Sequence, residues 1–338
     1  MAKREPDFEN VLKVLRRQAP ARPTLLEIFV GNSALTRLAG ADAAAPGDPL
    51  GAWKTIVQGY RHGGFDHAKV QVANFAFKAG EHRSASTISQ NEGAVIGDWR
   101  SFEAYDWPDP DKADFSLLER IAPELPGGMK LIVTGPGGAL ENAIRLVGYE
   151  RLCLLTMDDP PLVERIFEEI GLRLVRFYRI CLQHEAVGAI VGNDDWGHRG
   201  QTLFSPRDMR RYVFPWHKKI VEAAHAAGRP AILHSCGNLL GVMDDVIDEI
   251  GYDGKHSYED TIQPVEEAYE QFHERIAIIG GIDIDFICRS SPEQVRARSR
   301  AMLERSARRG GYALGSGNSI PDYVPYDNFA AMISAVLE

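Results

Sequence analysis

The sequence predicts an α/β fold: a single (β/α)8 TIM barrel with an N-terminal helix and loop elaborations. Three observations lead there. Short apolar runs alternate with amphipathic helical patterns, giving about eight strands, most of them followed by a helix. The 338 residues suit one barrel of about 250 residues plus elaborations. Polar side chains and glycines gather at successive strand ends, where parallel barrels carry their reactive groups. Residues 1–338 are therefore read as one domain. Within it, 1–23 is an N-terminal helical extension and 75–111 a loop or β-excursion.

The elements follow in order. A helix is expected over 7–18, and the apolar run 24–30 reads as the first strand. A helix covers 50–60. Residues 68–74 alternate as a strand does. The stretch 75–110 is irregular, with a β-excursion expected around 94–99. The rhythm then becomes clear: helix 115–122, strand 129–134, a glycine-rich turn at 135–138, and a helix after it. That turn matches neither GxGxxG nor GxxxxGK[ST], so it is read as a turn and not a phosphate loop. Helix 160–183 takes Asp158 or Asp159 as its N-cap. Strand 189–192, helix 206–227, strand 231–234 and helix 239–250 come next. A weak strand at 254–256, helix 264–273, strand 276–279, helix 292–307, strand 312–314 and helix 326–337 complete the chain.

Composition narrows the function. Against 38 Lys and Arg stand 47 Asp and Glu, a net charge of −9. Such a chain has no cationic excess for nucleic acid or anionic membranes. No apolar run approaches the ~18 residues of a membrane helix, and residues 1–18 lack a signal-peptide core. Four cysteines lie far apart with no CxxC pair, so a disulfide framework is not expected and the protein is placed in a reducing cytoplasm.

The strand ends carry the chemistry. His234 and Cys236 stand two apart on an extended chain and share one face, while Ser235 faces away. Imidazole with thiolate is half of a zinc site; a buried cysteine beside a hydrogen-bonded histidine is the bland alternative. Asp194 and Asp195 point to opposite faces, so one is expected to cap a turn and the other to face the barrel. Glu27, inside an apolar run, needs a partner, a metal or a raised pKa. Glu259 and Asp283 end later strands. The 315–318 segment, with Ser316 and Asn318, reads either as a phosphate cradle or as a tight turn at the mouth.

These residues, in this order, resemble the uroporphyrinogen decarboxylase superfamily. The resemblance rests on Gly192, Asn193, Asp194 and Asp195 with Gly197; on His234, Ser235, Cys236 and Gly237; on Gly280, Gly281, Ile282 and Asp283; and on Gly315, Ser316 and Gly317. It is strongest over 130–338 and implies a (β/α)8 barrel. The superfamily includes porphyrinogen decarboxylases and corrinoid-linked methyltransferases. The methyltransferase branch holds zinc with His-x-Cys and a distant cysteine; His234 and Cys236 match, while Ser316 stands near the third position. The decarboxylase branch carries Arg-Gln-Ala-Gly-Arg after the first strand. Here Arg17, Gln18, Ala19, Pro20, Ala21 and Arg22 precede that strand, and Ser316 again replaces the expected histidine.

The expected function is a methyltransferase-like (demethylase-type) enzyme moving a methyl group between a small methylated donor or thiol and a separate corrinoid protein. A divalent metal, zinc, is expected on His234 and Cys236 with a carboxylate completing the site, and no bound organic cofactor. Asp195 or Glu27 acts as ligand or acid/base. Asp194, Glu259, Asp283, Ser316 and Asn318 contact substrate. A homodimer is a family-level expectation. Uroporphyrinogen decarboxylation without a cofactor and a non-catalytic ligand-binding barrel are the alternatives. An acidic mouth weighs against the decarboxylase, whose polycarboxylate substrate needs a basic cleft.

Overall fold

The computed structural model describes residues 4–45, 47–72, 74–80 and 89–337. Seven strands form one parallel sheet in chain order: β1 (His67–Gln71), β2 (Lys130–Thr134), β3 (Val187–Asn193), β4 (Ala231–His234), β5 (Gly254–His256), β6 (Ala277–Ile279) and β7 (Tyr312–Ala313). Parallel neighbours need crossover connections, which the intervening helices supply.

Alternation along each strand sorts side chains into two layers. Ile132, Val191, Ile232, Ile279 and Ala313 meet in one buried inner cluster together with Leu26 and Ile28. Val70, Val133, Ile190, Leu233 and Ile278 lie in the outer layer under the helices. A single small cluster fed from β2 to β7 and from residues 26 and 28 means that the sheet curls around it. Helix α1 (Glu9–Leu15) plugs the N-terminal end, since Phe8, Val11, Val14 and Leu15 belong to the same inner cluster. The C-terminal ends of the strands are left as the open mouth.

The expected first strand, 24–30, differs from the other seven. It bends at Ile28 and meets the chain beyond β7 through two isolated bridges, Leu25 with Leu314 and Val30 with Ile320. On its other side the Glu27 carbonyl meets an imidazole, His67 Nε2, at 3.0 Å. Among the described residues the ladder therefore has seven strands. A side chain occupies the position at the seam that a strand amide would take, which is why periodicity alone overcounts.

Three helical departures have local causes. The expected β-excursion at 94–99 is not a strand: Asp98 accepts from Ser101 N and starts a helix, Trp99–Ala104, through a capping box. Part of the irregular stretch, 81–88, lies outside the described residues. The expected helix 206–227 is interrupted by a π-helical turn, Met209–Val213, just before Pro215 near the start of Phe214–Ala226. A proline lacks the N–H an α-helix needs there, and a wider turn accommodates the missing bond. Helix α2 (Asn32–Ala39) was not anticipated; it packs on α3 (Gly51–Gly63). Among the described residues no helix is long and apolar enough to cross a membrane.

Candidate metal centre

β4 has Ile232 inside and Leu233 outside, so His234 points inward and, two residues on, so does Cys236. β3 has Val191 inside, which sends Asn193 and then Asp195 inward. The register pairs Asn193 with His234, bringing the two strand ends level. As a result one ligand atom each of Asp195, His234 and Cys236 lies within 4.8 Å of the others. Cys236 Sγ is 3.9 Å from His234 Nε2, which is 4.0 Å from Asp195 Oδ1. Backbone holds the arrangement: Cys236 N donates to Asp195 Oδ1 at 2.9 Å. Gly237 is at φ +87°, and a Cβ there would meet the Gly197 carbonyl carbon at 2.1 Å. Only glycine lets the loops after β3 and β4 approach this closely.

The surroundings set the protonation of each group. Burial, opposed by Asp195 and aided by Lys255, lowers the His234 pKa to about 4, leaving a neutral imidazole. His234 Nδ1 lies 2.7 Å from Nδ1 of His256, its register partner on β5. One of the two must donate. Burial, then the neighbouring His234 and Lys255, keep His256 neutral, while the Ser316 backbone acts on it in the opposite direction. With the His256 proton on Nε2, His234 donates from Nδ1 and its Nε2 lone pair faces Cys236 and Asp195. That is the tautomer a metal ligand needs. Burial, then Asp195, push the Cys236 thiol up to about 12, so a bound cation is what would make it a thiolate. Asn318 Nδ2 at 3.2 Å and Ser257 Oγ at 3.6 Å both point hydrogens at its sulfur. Ser257 sits at φ +85°, a left-handed conformation uncommon for serine.

The donor set fits a zinc-class ion: thiol, imidazole and carboxylate suit a borderline-soft cation and not Mg²⁺ or Ca²⁺, which take oxygen. Bond lengths of about 2.0–2.3 Å require the three ligands to draw in by a few tenths of an ångström. Asp195, 44% exposed in its side chain, has the freedom to do so.

The other expected site residues fall elsewhere. Asp194 is fully buried and turned outward into the wall. It accepts from Leu140 N and Glu141 N, at 2.9 and 2.8 Å, and from Trp196 Nε1 and His217 Nε2, both at 2.9 Å. It thus caps the helix Ala139–Val147 from a distant strand, and a Cβ on Gly138 would sit 2.0 Å from its own Cβ. Both Asp194 oxygens are engaged inside the wall. Glu27 is also buried, outside the triad. Ser316 N donates to its Oε1 and Ser316 Oγ lies 2.9 Å from its Oε2. Ser316 therefore serves Glu27 and not the metal triad. The 315–317 backbone is a turn: Ile282 N donates to Gly315 O, Gly317 N to Ile282 O and Tyr258 N to Gly317 O. The amides of Ser316 and Gly317 are thus taken by Glu27 and Ile282 O. Asp283 caps Ile284–Arg289 and also accepts from Asp260 N. Glu259, Asp283 and Asn318 line a cavity of about 620 Å³ beside the triad.

Two groups near the centre were not singled out from sequence. His256 owes its place opposite His234 to the register between β4 and β5. Glu141 accepts from Asn193 Nδ2 and Gly138 N, both at 3.2 Å. Burial, then Asp194 and Asp195, raise its pKa to about 8. It is a proton-holding carboxyl at the edge of the site.

Burial likewise raises Glu27 from the ordinary 4.5 to about 8, against the two Ser316 hydrogen bonds. Between those values the folded chain keeps a proton that the unfolded chain releases. This contribution is whole below pH 4.5, falls as pH rises, and is gone above about 8. Glu27→Gln, which mimics the protonated acid, is expected to flatten the stability profile between pH 5 and 8 by an amount on the order of a few kcal/mol. Urea unfolding at several pH values measures this; parallel slopes for the two proteins would remove Glu27 as the titrating group.

The uroporphyrinogen decarboxylase (URO-D) family model matches residues 86–338. The chain belongs to the uroporphyrinogen decarboxylase family. Among curated relatives it is 24% identical over 191 residues to a uroporphyrinogen decarboxylase of Streptomyces avermitilis, covering 56% of this chain and 50% of that protein. A Methylococcus capsulatus uroporphyrinogen decarboxylase matches at 24% over 193 residues, 56% of this chain and 52% of that one. The chain spans about half the length of the curated relatives it matches. Among solved structures, a methyltransferase from Methanosarcina mazei superposes with a TM-score of 0.71 at 15% identity, covering 98% of each chain. A Listeria monocytogenes protein described as a vitamin-B12 independent methionine synthase gives a TM-score of 0.52 at 12% identity, covering 94% of this chain and 98% of that one. Both likenesses are of fold.

Proposed function

We propose that this family member is a metal-assisted methyltransferase acting between a small methylated donor or thiol and a separate corrinoid protein. In this reading Asp195, His234 and Cys236 hold zinc, and 24–30 serves as the first strand of a closed (β/α)8 barrel in one cytoplasmic domain. The observation that carries it is the convergence of carboxylate, neutral imidazole and thiol at the open end of the curled sheet. A bound zinc ion would supply Lewis acidity and hold a thiol as thiolate at neutral pH. The protein's own groups do the rest. His256 fixes the His234 tautomer, Asn318 and Ser257 direct hydrogens at the Cys236 sulfur, and Glu141 holds a proton at the rim. The acidic cavity beside the triad, with Glu259, Asp260, Asp283 and Asp285, disfavours a polycarboxylate porphyrinogen. Arg289, the one arginine among the described residues that line it, pairs with Asp285 at 2.6 Å. The Methanosarcina protein of this fold is a methyltransferase.

Protein purified without chelator is expected to carry about one zinc per chain by elemental analysis, and to demethylate small methylated ethers, amines or thiols when a corrinoid protein is supplied. Stoichiometric zinc without turnover would favour a binding role. Turnover of uroporphyrinogen to its decarboxylated product by metal-free protein would replace this reading with the decarboxylase.

A further inference from the structure

We infer that a second cavity, of about 510 Å³ between Phe29 and α3, is a binding subsite for an organic carboxylate with a flat apolar body. Phe29, Trp53 and Tyr60 give it aromatic walls, with Leu35, Ile56 and Ile320 between them. Among the described residues lining it, Lys69 is the one charged side chain. The chain as a whole carries excess negative charge, and the neighbouring cavity is lined with carboxylates. A lone cation in an aromatic pocket therefore runs against the local charge.

Lys69 also differs from two other lysines that the fold holds out of water. Lys54 pairs with Asp48 and Glu124. Lys255 donates to Ser257 O and lies 4.1 Å from the centroid of the Tyr258 ring. Among the described residues Lys69 has only a ring: its Nζ sits 4.8 Å from the Phe29 centroid. Burial alone acts on it, with no carboxylate opposing, and lowers its pKa to about 8. Asp322, on the nearby turn, is engaged by Ser33 Oγ. A half-buried ammonium with no carboxylate partner among the described residues gains from an anion that completes it. A ligand carboxylate does so with a charge-assisted hydrogen bond, and the neutral amides of Asn32 and Gln71 line the same space. One ammonium with no arginine fork suits a monoanion better than a phosphate dianion.

The cavity abuts the triad. The ring of Phe29 lies edge-on to His234, 5.3 Å between centroids, and its face meets Lys69. Ser319 borders both cavities and follows Asn318, the donor to Cys236. A carboxylate held at Lys69 would lay the apolar body of its molecule along Phe29 toward His234. Which end of that molecule reacts rests on the methyl-transfer reading; that the carboxylate binds at Lys69 does not.

The test is calorimetric titration of the full chain, after chelator treatment and again with zinc, using benzoate, benzamide and phenyl phosphate as probes. Benzoate is expected to bind the chelated protein about tenfold more tightly than benzamide. Lys69→Met should remove that preference while leaving benzamide binding unchanged, and Lys69→Arg should retain most of it. Equal affinity for benzoate and benzamide, no benzoate binding, tighter binding of phenyl phosphate, or an unchanged preference in Lys69→Met would each overturn the assignment. The comparison of probes on the unmutated chain needs no variant to fold. Because it is read without metal, it is independent of whether zinc binds.

Discussion

Replacing Cys236 by alanine is expected to weaken zinc binding by more than about a hundredfold. Losing an outer-shell partner of a metal ligand already costs 10–100-fold, and here one of three protein ligands and the only soft donor would go. The fold should survive, because Cys236 lies at the mouth, partly exposed, beyond the last residue of β4. Its sulfur contacts Asn318, Ser257 and His234 and no inner-cluster residue among its hydrogen-bond partners. Competition against a chromogenic chelator gives the affinity, and urea unfolding reports stability in the same preparation. Methyl transfer, where assayed, should fall with metal occupancy. If the alanine variant bound zinc as tightly as the parent, the triad would not be the metal centre.

The second large effect separates two adjacent carboxylates. Asp194→Ala is expected to cost about 3–5 kcal/mol of stability, enough to unfold a marginal protein. The carboxylate is fully buried and accepts from two helix amides, an indole N–H and an imidazole. Removing it leaves those donors buried without acceptors and uncaps the helix Ala139–Val147. Asp195→Ala should behave in the opposite way: it should change stability by less than about 1 kcal/mol, because its side chain is nearly half exposed, yet lose zinc as Cys236→Ala does. Chemical denaturation and metal titration of the pair give a crossed result. Equal stability losses would mean that the wall and the mouth have been assigned to the wrong residues.

Much of this arrangement is legible in the sequence. The pairing of His234 with Cys236 followed from the two-residue repeat of an extended chain, and the opposed directions of Asp194 and Asp195 followed from the same rule. The repeat gives relative orientation only. Which aspartate looks inward depends on Val191 being inside, and that is a property of the curled sheet. Ser316 was expected near the third ligand position from family spacing; the fold ties it instead to Glu27, a residue from the other end of the chain. The apolar pattern of 24–30 matches a strand, but isolated bridges join it to its neighbour on one side and the His67 side chain stands on the other.

The sequence by itself determined the βα rhythm, the open end where polar strand termini gather, and the face shared by imidazole and thiol. Each of these is encoded within a few residues, by periodicity and the turn chemistry around it. Only the tertiary structure decided that Asp195 lies beside His234 and Cys236, that His256 faces His234 Nδ1, and that Lys69 has no carboxylate partner among the described residues. Those facts depend on register between strands and on which segments meet when the sheet curls. Contacts between residues many positions apart are selected by the packing of the whole chain, and no local pattern records them.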